Sequence, residues 1–417
     1  MITVEEALEF ILRHFEPLEP EAVYILDALD RILAEDIFAK VAIPPFDNAS
    51  MDGYAVRAED TVGASPGTPV ALRVVADIPA GTVAGVPVGP GEAARIMTGA
   101  ATPEGVNAVV PVEETDKWPA TSQEPRGKGT VVKILKATSP GANIRRAGGD
   151  MRPGELVLPK GTLIRPAEIA VLATLGHRYV PVIRRPRVAV LATGDELLDI
   201  DQPLLPGKIR NSNEYSNAAL VARYGGVPVR LGIARDTVAD LKAKIHKGLA
   251  QGVDLFITSA GVSVGDYDVV KDVLQAEGEI RFWKVKMKPG KPLAFGAIEG
   301  VPLMGLPGNP TSSMVSFEQF ARPAILKMQG RTKLVKPTVE AVLDDPLERC
   351  DRRGYQRVIV RRDKNGTYHA GTAGLQASGF VRAMARANGL AIVPEGKGEL
   401  APGAQVSVQM LDWPEVE

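Results

Sequence analysis

Between residues 187 and 328 strand-like and helix-like patterns alternate, and no other feature restricts the fold of this chain as much. Strands are predicted over Arg187–Thr193, Val227–Ile233, Asp254–Ser259, Arg281–Met287, Leu293–Ile298 and Val301–Leu306. Helices are predicted over Glu214–Tyr224, Val238–Leu249, Tyr267–Glu277 and Ser312–Lys327. Alternation of this kind argues a doubly wound, mostly parallel sheet covered on both faces. Ligands of such sheets bind beyond the carboxyl ends of the strands, so the residues that follow each strand are the first place to look for function.

Those residues are rich in acids and glycines. The first strand delivers Thr193-Gly194-Asp195-Glu196, the second ends near Arg235-Asp236, and the third runs into Ser259-Ala260-Gly261-Val262-Ser263-Val264-Gly265-Asp266-Tyr267-Asp268. Any one of these aspartates reads as a helix cap. Several carboxylates on one rim repel each other without a cation, and Mg²⁺ shared with substrate phosphates is the ordinary solution. The last strand enters Gly305-Leu306-Pro307-Gly308-Asn309-Pro310-Thr311-Ser312, a turn stiffened by two prolines before a hydroxyl-rich helix start. Free N–H groups at a helix start favour an anion. Lys284, Lys286 and Lys288 alternate ahead of Pro289-Gly290-Lys291-Pro292. On one strand they would share a face and spread over about 13 Å, a length suited to an extended polyanion. An edge strand guarded by lysines is the plainer reading, but it leaves the rigid corner unexplained.

The flanks read differently. Residues 1–45 and 141–183 form a helical linking domain, with Thr3 and Glu6 as a capping box on an amphipathic first helix. Residues 46–140 show short strands broken by Gly and Pro, a β-rich domain inserted into the first. The α/β domain takes 184–330, and 331–417 read as a small C-terminal β-barrel. At 417 residues several domains are expected. The net charge of −1 gives no global field for nucleic acid or an acidic membrane, so any anion site is local. A single cysteine, Cys350, and four scattered histidines leave no disulfide framework and no zinc or iron–sulfur cluster. No targeting segment and no apolar run near the ~20 residues of a membrane span is visible, so a cytoplasmic location is expected. There is no GxxxxGK[ST] loop. From the residues alone, the chain reads as a Mg²⁺-dependent handler of a phosphorylated or nucleotide-bearing ligand.

Several longer motifs occur together: Pro44-Pro45-Phe46-Asp47-Asn48-Ala49-Ser50-Met51-Asp52-Gly53-Tyr54-Ala55-Val56, Ile96-Met97-Thr98-Gly99-Ala100, Asn143-Ile144-Arg145-Arg146-Ala147-Gly148-Gly149-Asp150, the TGDE and SAGVSVGDYD strand ends, KPGKP and GLPGNP. In this combination and order the chain resembles the molybdopterin molybdenumtransferase family (MoeA and the E domain of gephyrin), from Met1 to about Ser407. The resemblance implies an α/β domain of the molybdopterin-binding type. It also implies insertion of molybdenum from molybdate into adenylylated molybdopterin, with Mg²⁺ or another divalent cation and release of AMP. It implies a homodimer whose cleft is shared between subunits, a molybdopterin adenylyltransferase upstream, and molybdoenzymes or their chaperones downstream.

Carried over by position, Asp52, Thr98, Asp150, Glu196, Asp236, Asp268, Lys284 and Lys288 are the expected catalytic residues. Gly261, Ser263, Lys291, Pro307, Pro310, Ser312, Arg357 and Ser378 are the expected substrate and molybdate contacts, and Glu196, Asp236, Asp266 and Asp268 the metal ligands. Ala260 stands where the family usually has glycine, and Tyr267 separates Asp266 from Asp268, leaving open which of the two meets the metal. Two other readings stand beside this one: a tungstate-inserting homologue, since tungstate has the charge and shape of molybdate, and a dimeric scaffold of the gephyrin E-domain type.

Overall fold

The computed structural model describes residues 1–118, 128–259 and 280–413. The chain divides into two units. The larger holds residues 1–34, 161–169 and 178–417, and the smaller holds 35–160 and 170–177.

The larger unit is built on a six-stranded sheet in the order Val227–Ala234, Arg187–Thr193, Leu255–Ser259, Val301–Leu306, Pro292–Ile298, Ile280–Lys284. The first four pair in parallel, and Pro292–Ile298 runs antiparallel to both neighbours. The exception is local. Glu299 and Gly300 both take positive φ, and Ile298 pairs with Val301, so two residues close a tight hairpin. The strand Arg187–Thr193 is buried from Val188 to Thr193, as a strand covered on both faces must be. Its alternation sends Val188 and Val190 into one core with Ala218, Val221, Phe317 and Phe320. Ala189 and Leu191 enter a second core with Leu241 and Ile245.

The helix expected over Ser312–Lys327 begins at Pro310 and is interrupted by a π-turn, Phe317–Ala321, before Arg322–Met328. Pro323 has no N–H to offer Gln319, and the wider turn accommodates that missing bond. The helix expected over Tyr267–Glu277 lies outside the described residues.

The lysine segment corrects an expectation. Arg281–Met287 is not one strand: pairing stops at Lys284, and Met287–Lys288 joins the C-terminal sheet beside Arg353–Gly354. The Pro-Gly-Lys-Pro corner folds back so that Val285 N–H donates to the Lys291 carbonyl at 2.7 Å, while Lys286 N–H donates to Ile2. Burial still alternates, with Val285 and Met287 inside and Lys284 and Lys288 exposed.

The C-terminal strands Thr338–Leu343, Arg353–Arg362, Tyr368–Thr372, Gly389–Val393 and Gln405–Met410 close into the expected small barrel, since Arg353–Arg362 pairs with both Tyr368–Thr372 and Gly389–Val393. Tyr355, Met384 and Leu390 share a core with the α/β sheet, which fixes the barrel against it. At the N-terminus Thr3 and Glu6 form the predicted capping box, and the helical character of residues 1–45 is carried by Val4–Leu12 with a 3₁₀ turn at Ile25–Ala28. Between them Pro20–Tyr24 pairs with Tyr179–Ile183.

The smaller unit carries a five-stranded sheet, Ala108–Pro111, Gly53–Val56, Glu92–Ile96, Val70–Ile78, Val131–Ile134, with an apolar core on each face. Glycine opens the strand Gly53–Val56 because a Cβ there would overlap the Val110 carbonyl. No helix among the described residues is long and apolar enough to cross a membrane.

Candidate active site

At the carboxyl ends of the larger sheet lies a cleft of about 780 Å³. Five segments build it: the ends of Arg187–Thr193 and of Leu255–Ser259, the start of the helix at Asn213, the Pro289–Pro292 corner, and the turn Pro307–Pro310 with Ser312. The barrel adds Gln376–Ser378. That loop is tied to the glycine turn: Thr311 N–H donates to the Ser378 carbonyl and its hydroxyl to the Phe380 carbonyl, both at 3.1 Å. Pro310 has no N–H and the Thr311 N–H is used, so Ser312 offers the first N–H of this helix without a partner among the described residues.

Glu196, Lys288, Lys291, Pro307, Pro310, Ser312 and Ser378, drawn from widely separated motifs, all line this cleft. Among the described residues Glu196, Lys288 and Lys291 form no hydrogen bond or ion pair through their charged groups. Gly194, at φ +144°, lies under the Glu196 carboxylate, which would overlap any Cβ there. Asp236, just beyond the end of Val227–Ala234, is absent from the cleft lining and is held in a reciprocal arrangement: Asp195 N–H donates to its carboxylate at 3.1 Å, and Asp236 N–H donates to the Asp195 carboxylate at 3.4 Å.

Two further expected members lie apart. Lys284 is exposed at the end of its strand and is absent from the cleft lining. Arg357 lines an adjoining hollow of about 410 Å³ that shares Lys288, Pro289, Gln376 and Ala377 with the cleft. It is 1 % exposed and has no carboxylate partner among the described residues. It donates to the Leu375 and Ala377 carbonyls at 3.2 and 3.3 Å, its Nε has no partner among the described residues, and burial lowers its pKa to about 10. Arg357 thus clamps the loop bearing Ser378 while keeping an uncompensated charge. Gly261, Ser263, Asp266 and Asp268 lie outside the described residues.

In the smaller unit Asp52 and Thr98 meet. Thr98 donates to one Asp52 carboxylate oxygen through both its N–H and its hydroxyl, each at 2.7 Å. The Thr98 N–H first and its hydroxyl second hold the Asp52 carboxyl below its ordinary range. Asp150 is exposed, with its N–H bound to the Ile43 carbonyl. Of the paired arginines, Arg146 is committed to Asp47 at 2.6 Å, while Arg145 is exposed and makes no side-chain bond among the described residues.

Among the described residues no three His, Cys, Asp or Glu side chains converge on a cation position. Glu196 and Asp236 are oxygen donors, the kind that suits Mg²⁺, and that ion is commonly held by one or two carboxylates with substrate phosphates completing its shell. The residues present therefore fit a cation bound jointly with substrate.

Sequence reasoning missed Ser259 and Asn213. Ser259 ends a strand with its buried hydroxyl unpartnered among the described residues. Asn213 donates to the Gly308 carbonyl at 2.7 Å and keeps a buried oxygen at the cleft that has no partner among the described residues. The polar run Asn211-Ser212-Asn213 at a helix start was the available signal for Asn213.

Known proteins share this architecture. Three family models cover the chain: "MoeA N-terminal region (domain I and II)" over residues 2–176, "Probable molybdopterin binding domain" over 189–327, and "MoeA C-terminal region (domain IV)" over 340–411. Molybdopterin molybdenumtransferase 2 of Mycobacterium tuberculosis is 40% identical over 98% of this chain and 99% of its own. The molybdopterin molybdenumtransferase of Bacillus subtilis is 38% identical over 99% and 96%. The crystal structure of a molybdopterin biosynthesis MoeA protein from Pyrococcus horikoshii superposes with a TM-score of 0.81 at 33% identity, covering 99% of this chain and 100% of that one.

Proposed function

The chain belongs to the molybdopterin molybdenumtransferase family of molybdenum cofactor biosynthesis, and from that premise we propose that it transfers molybdenum from molybdate to adenylylated molybdopterin with release of AMP. The observation that carries this reading is the cleft itself, where one uncommitted carboxylate, Glu196, accompanies two uncommitted ammonium groups, Lys288 and Lys291, beside a stiff glycine turn.

Lys288 binds the phosphate oxygens and offsets the charge that builds as the anhydride opens. A water oxygen bonds to one phosphorus while the bond from that phosphorus to the bridging oxygen breaks. The bridging oxygen leaves with the electron pair, and the water, oriented by Glu196, gives its proton to solvent. Mg²⁺ or another divalent cation, held by Glu196 and Asp236, would neutralise phosphate charge. Ser312, Ser378, Lys291 and Arg357 are assigned to molybdate, a compact dianion suited to a buried guanidinium and hydroxyl donors. Asp52, oriented by Thr98, and Asp150 are assigned to the reaction from the smaller unit. The active form is a homodimer in the cytoplasm, supplied by a molybdopterin adenylyltransferase and drained by molybdoenzymes or their chaperones.

The test is AMP release from adenylylated molybdopterin with Mg²⁺, with molybdate and tungstate in parallel. Oxyanion-dependent release that activates an apo-molybdoenzyme is expected. A preference for tungstate would reassign the metal, and no release with either anion would sink the reading.

A further inference from the structure

A second cavity, of about 390 Å³, lies at the other end of the same sheet and shares no lining residue with the catalytic cleft. Arg185 precedes the strand Arg187–Thr193 by two residues and Gly225 precedes Val227–Ala234 by two, so this cavity opens at the amino ends of the strands. A seven-residue strand separates the two ends by about 20 Å.

Its walls are strongly cationic. Arg31, Arg185, Arg223, Arg322, Arg331 and Lys333 line it, against one carboxylate, Asp30. Arg31 is paired with Glu21, and Arg223 with Asp412. The other four have no carboxylate partner within ion-pair distance among the described residues. Arg322 is only 8 % exposed, donates to the Leu334 carbonyl at 2.8 Å, and packs its guanidinium over the Tyr224 ring. Arg331 donates to the Asp30 carbonyl at 2.9 Å. The Nε atoms of Arg31, Arg322 and Arg331 are buried without a partner among the described residues. Behind the wall, Glu318 is matched by Lys336 at 3.1 Å and by the Tyr224 hydroxyl, and its field reaches Arg223, a cation already paired with Asp412. Burying guanidinium groups without counter-charge costs several kcal/mol per ion, and a chain tolerates that where an anion is meant to enter.

We propose that this cavity is a second anion site that takes a small oligophosphate, a ligand with two or more phosphate groups. Four unpaired cations against Asp30 leave three positive charges to be met, more than a single phosphate carries. The cavity volume holds a pyrophosphate or a nucleotide's phosphate chain but not an extended polymer. Guanidinium groups suit bidentate phosphate contacts.

The test is isothermal titration of the full chain with inorganic pyrophosphate, with orthophosphate in parallel. Arg185→Ala/Lys333→Ala, which alters two exposed side chains, and Lys288→Ala/Lys291→Ala, which alters the catalytic cleft, are compared with the unaltered protein. One pyrophosphate site should weaken at least tenfold in Arg185→Ala/Lys333→Ala, with melting temperature and transferase rate unchanged. That site should persist in Lys288→Ala/Lys291→Ala, and orthophosphate should bind it at least tenfold more weakly. Identical titrations of the unaltered protein and Arg185→Ala/Lys333→Ala, or loss of all binding in Lys288→Ala/Lys291→Ala, would overturn the proposal. Equal affinity for orthophosphate would overturn the oligophosphate class.

Discussion

The central sheet spends its charges differently at its two ends. At the amino end Asp254 accepts two bonds from the Arg184 guanidinium, at 2.7 and 2.6 Å, and a third from the Arg187 N–H at 2.7 Å. Arg184 also reaches Glu19, and its hydrogen bonds to Asp254 and then to Glu19 hold its pKa above the ordinary arginine value. At the carboxyl end Glu196, Lys288 and Lys291 keep their charges uncommitted around an open cleft. A paired charge in a partly dry site ties segments together, whereas an unpaired one is held ready for a ligand. The cationic cavity beside Arg184 shows that the distinction follows pairing rather than which end of the sheet is concerned.

The largest expected effect breaks the catalytic side. Lys288→Ala should lower AMP release by on the order of a thousandfold, the scale of removing a preorganised electrostatic contact, while the melting curve stays in place. Asp52→Ala should lose activity on a similar scale. Unchanged rates in both would remove the site assignment. Arg184→Ala should act in the opposite sense. Losing that guanidinium strands Asp254 at 13% side-chain exposure, a cost on the order of 3 kcal/mol, read as a melting point lower by several degrees. The rate per folded molecule should not change. A fall in kcat without a fall in stability would erase the contrast between paired and unpaired charges.

A smaller effect concerns a charge that is positioned but not neutralised. Asp52 is held below the ordinary carboxylate range by the N–H and hydroxyl of Thr98. Thr98→Val removes the hydroxyl donor, so the carboxyl moves up toward its ordinary value and protonates at a higher pH. The acid limb of the rate–pH profile should therefore shift to higher pH, with little change at pH 8. An unmoved limb would separate Asp52 from the acid-sensitive step.

The parts of this fold that could be read in advance are those set by local pattern. Arg187–Thr193 and Val301–Leu306 stand where predicted because strands covered on both faces are apolar along their length. The lysine segment misled because period-two spacing is blind to long-range bonds: Ile2 N–H donates to the Lys284 carbonyl, and Val285 turns back onto Lys291. Glu196, Lys288 and Ser312 were legible from motifs taken together. Asn213 and Ser259 were not, because a polar residue gains meaning at a cleft only when distant segments deny it a partner. Arg357 in its Gly-Tyr-Gln-Arg run reads as structural on the residues alone and becomes a site candidate only through the family resemblance. Its buried, unpaired state is a property of the closed barrel and has no local signature.

The finest contrast lies between neighbours on one strand. Thr258 and Ser259 both carry buried hydroxyls without partners among the described residues, but only Ser259 lines the cleft. If an orphaned hydroxyl at the cleft waits for substrate, Ser259→Ala should raise the KM for adenylylated molybdopterin about three- to tenfold, the worth of one neutral hydrogen bond. Thr258→Val keeps the side-chain shape and removes a desolvated hydroxyl, so it should stabilise the protein by about 1 kcal/mol without touching KM. Kinetics and melting curves on the two variants read both effects. A KM that rises in Thr258→Val, or that stays fixed in Ser259→Ala, would show that an unpartnered group on this strand is only a packing cost, and that the lining of the cleft does not mark which groups meet the substrate.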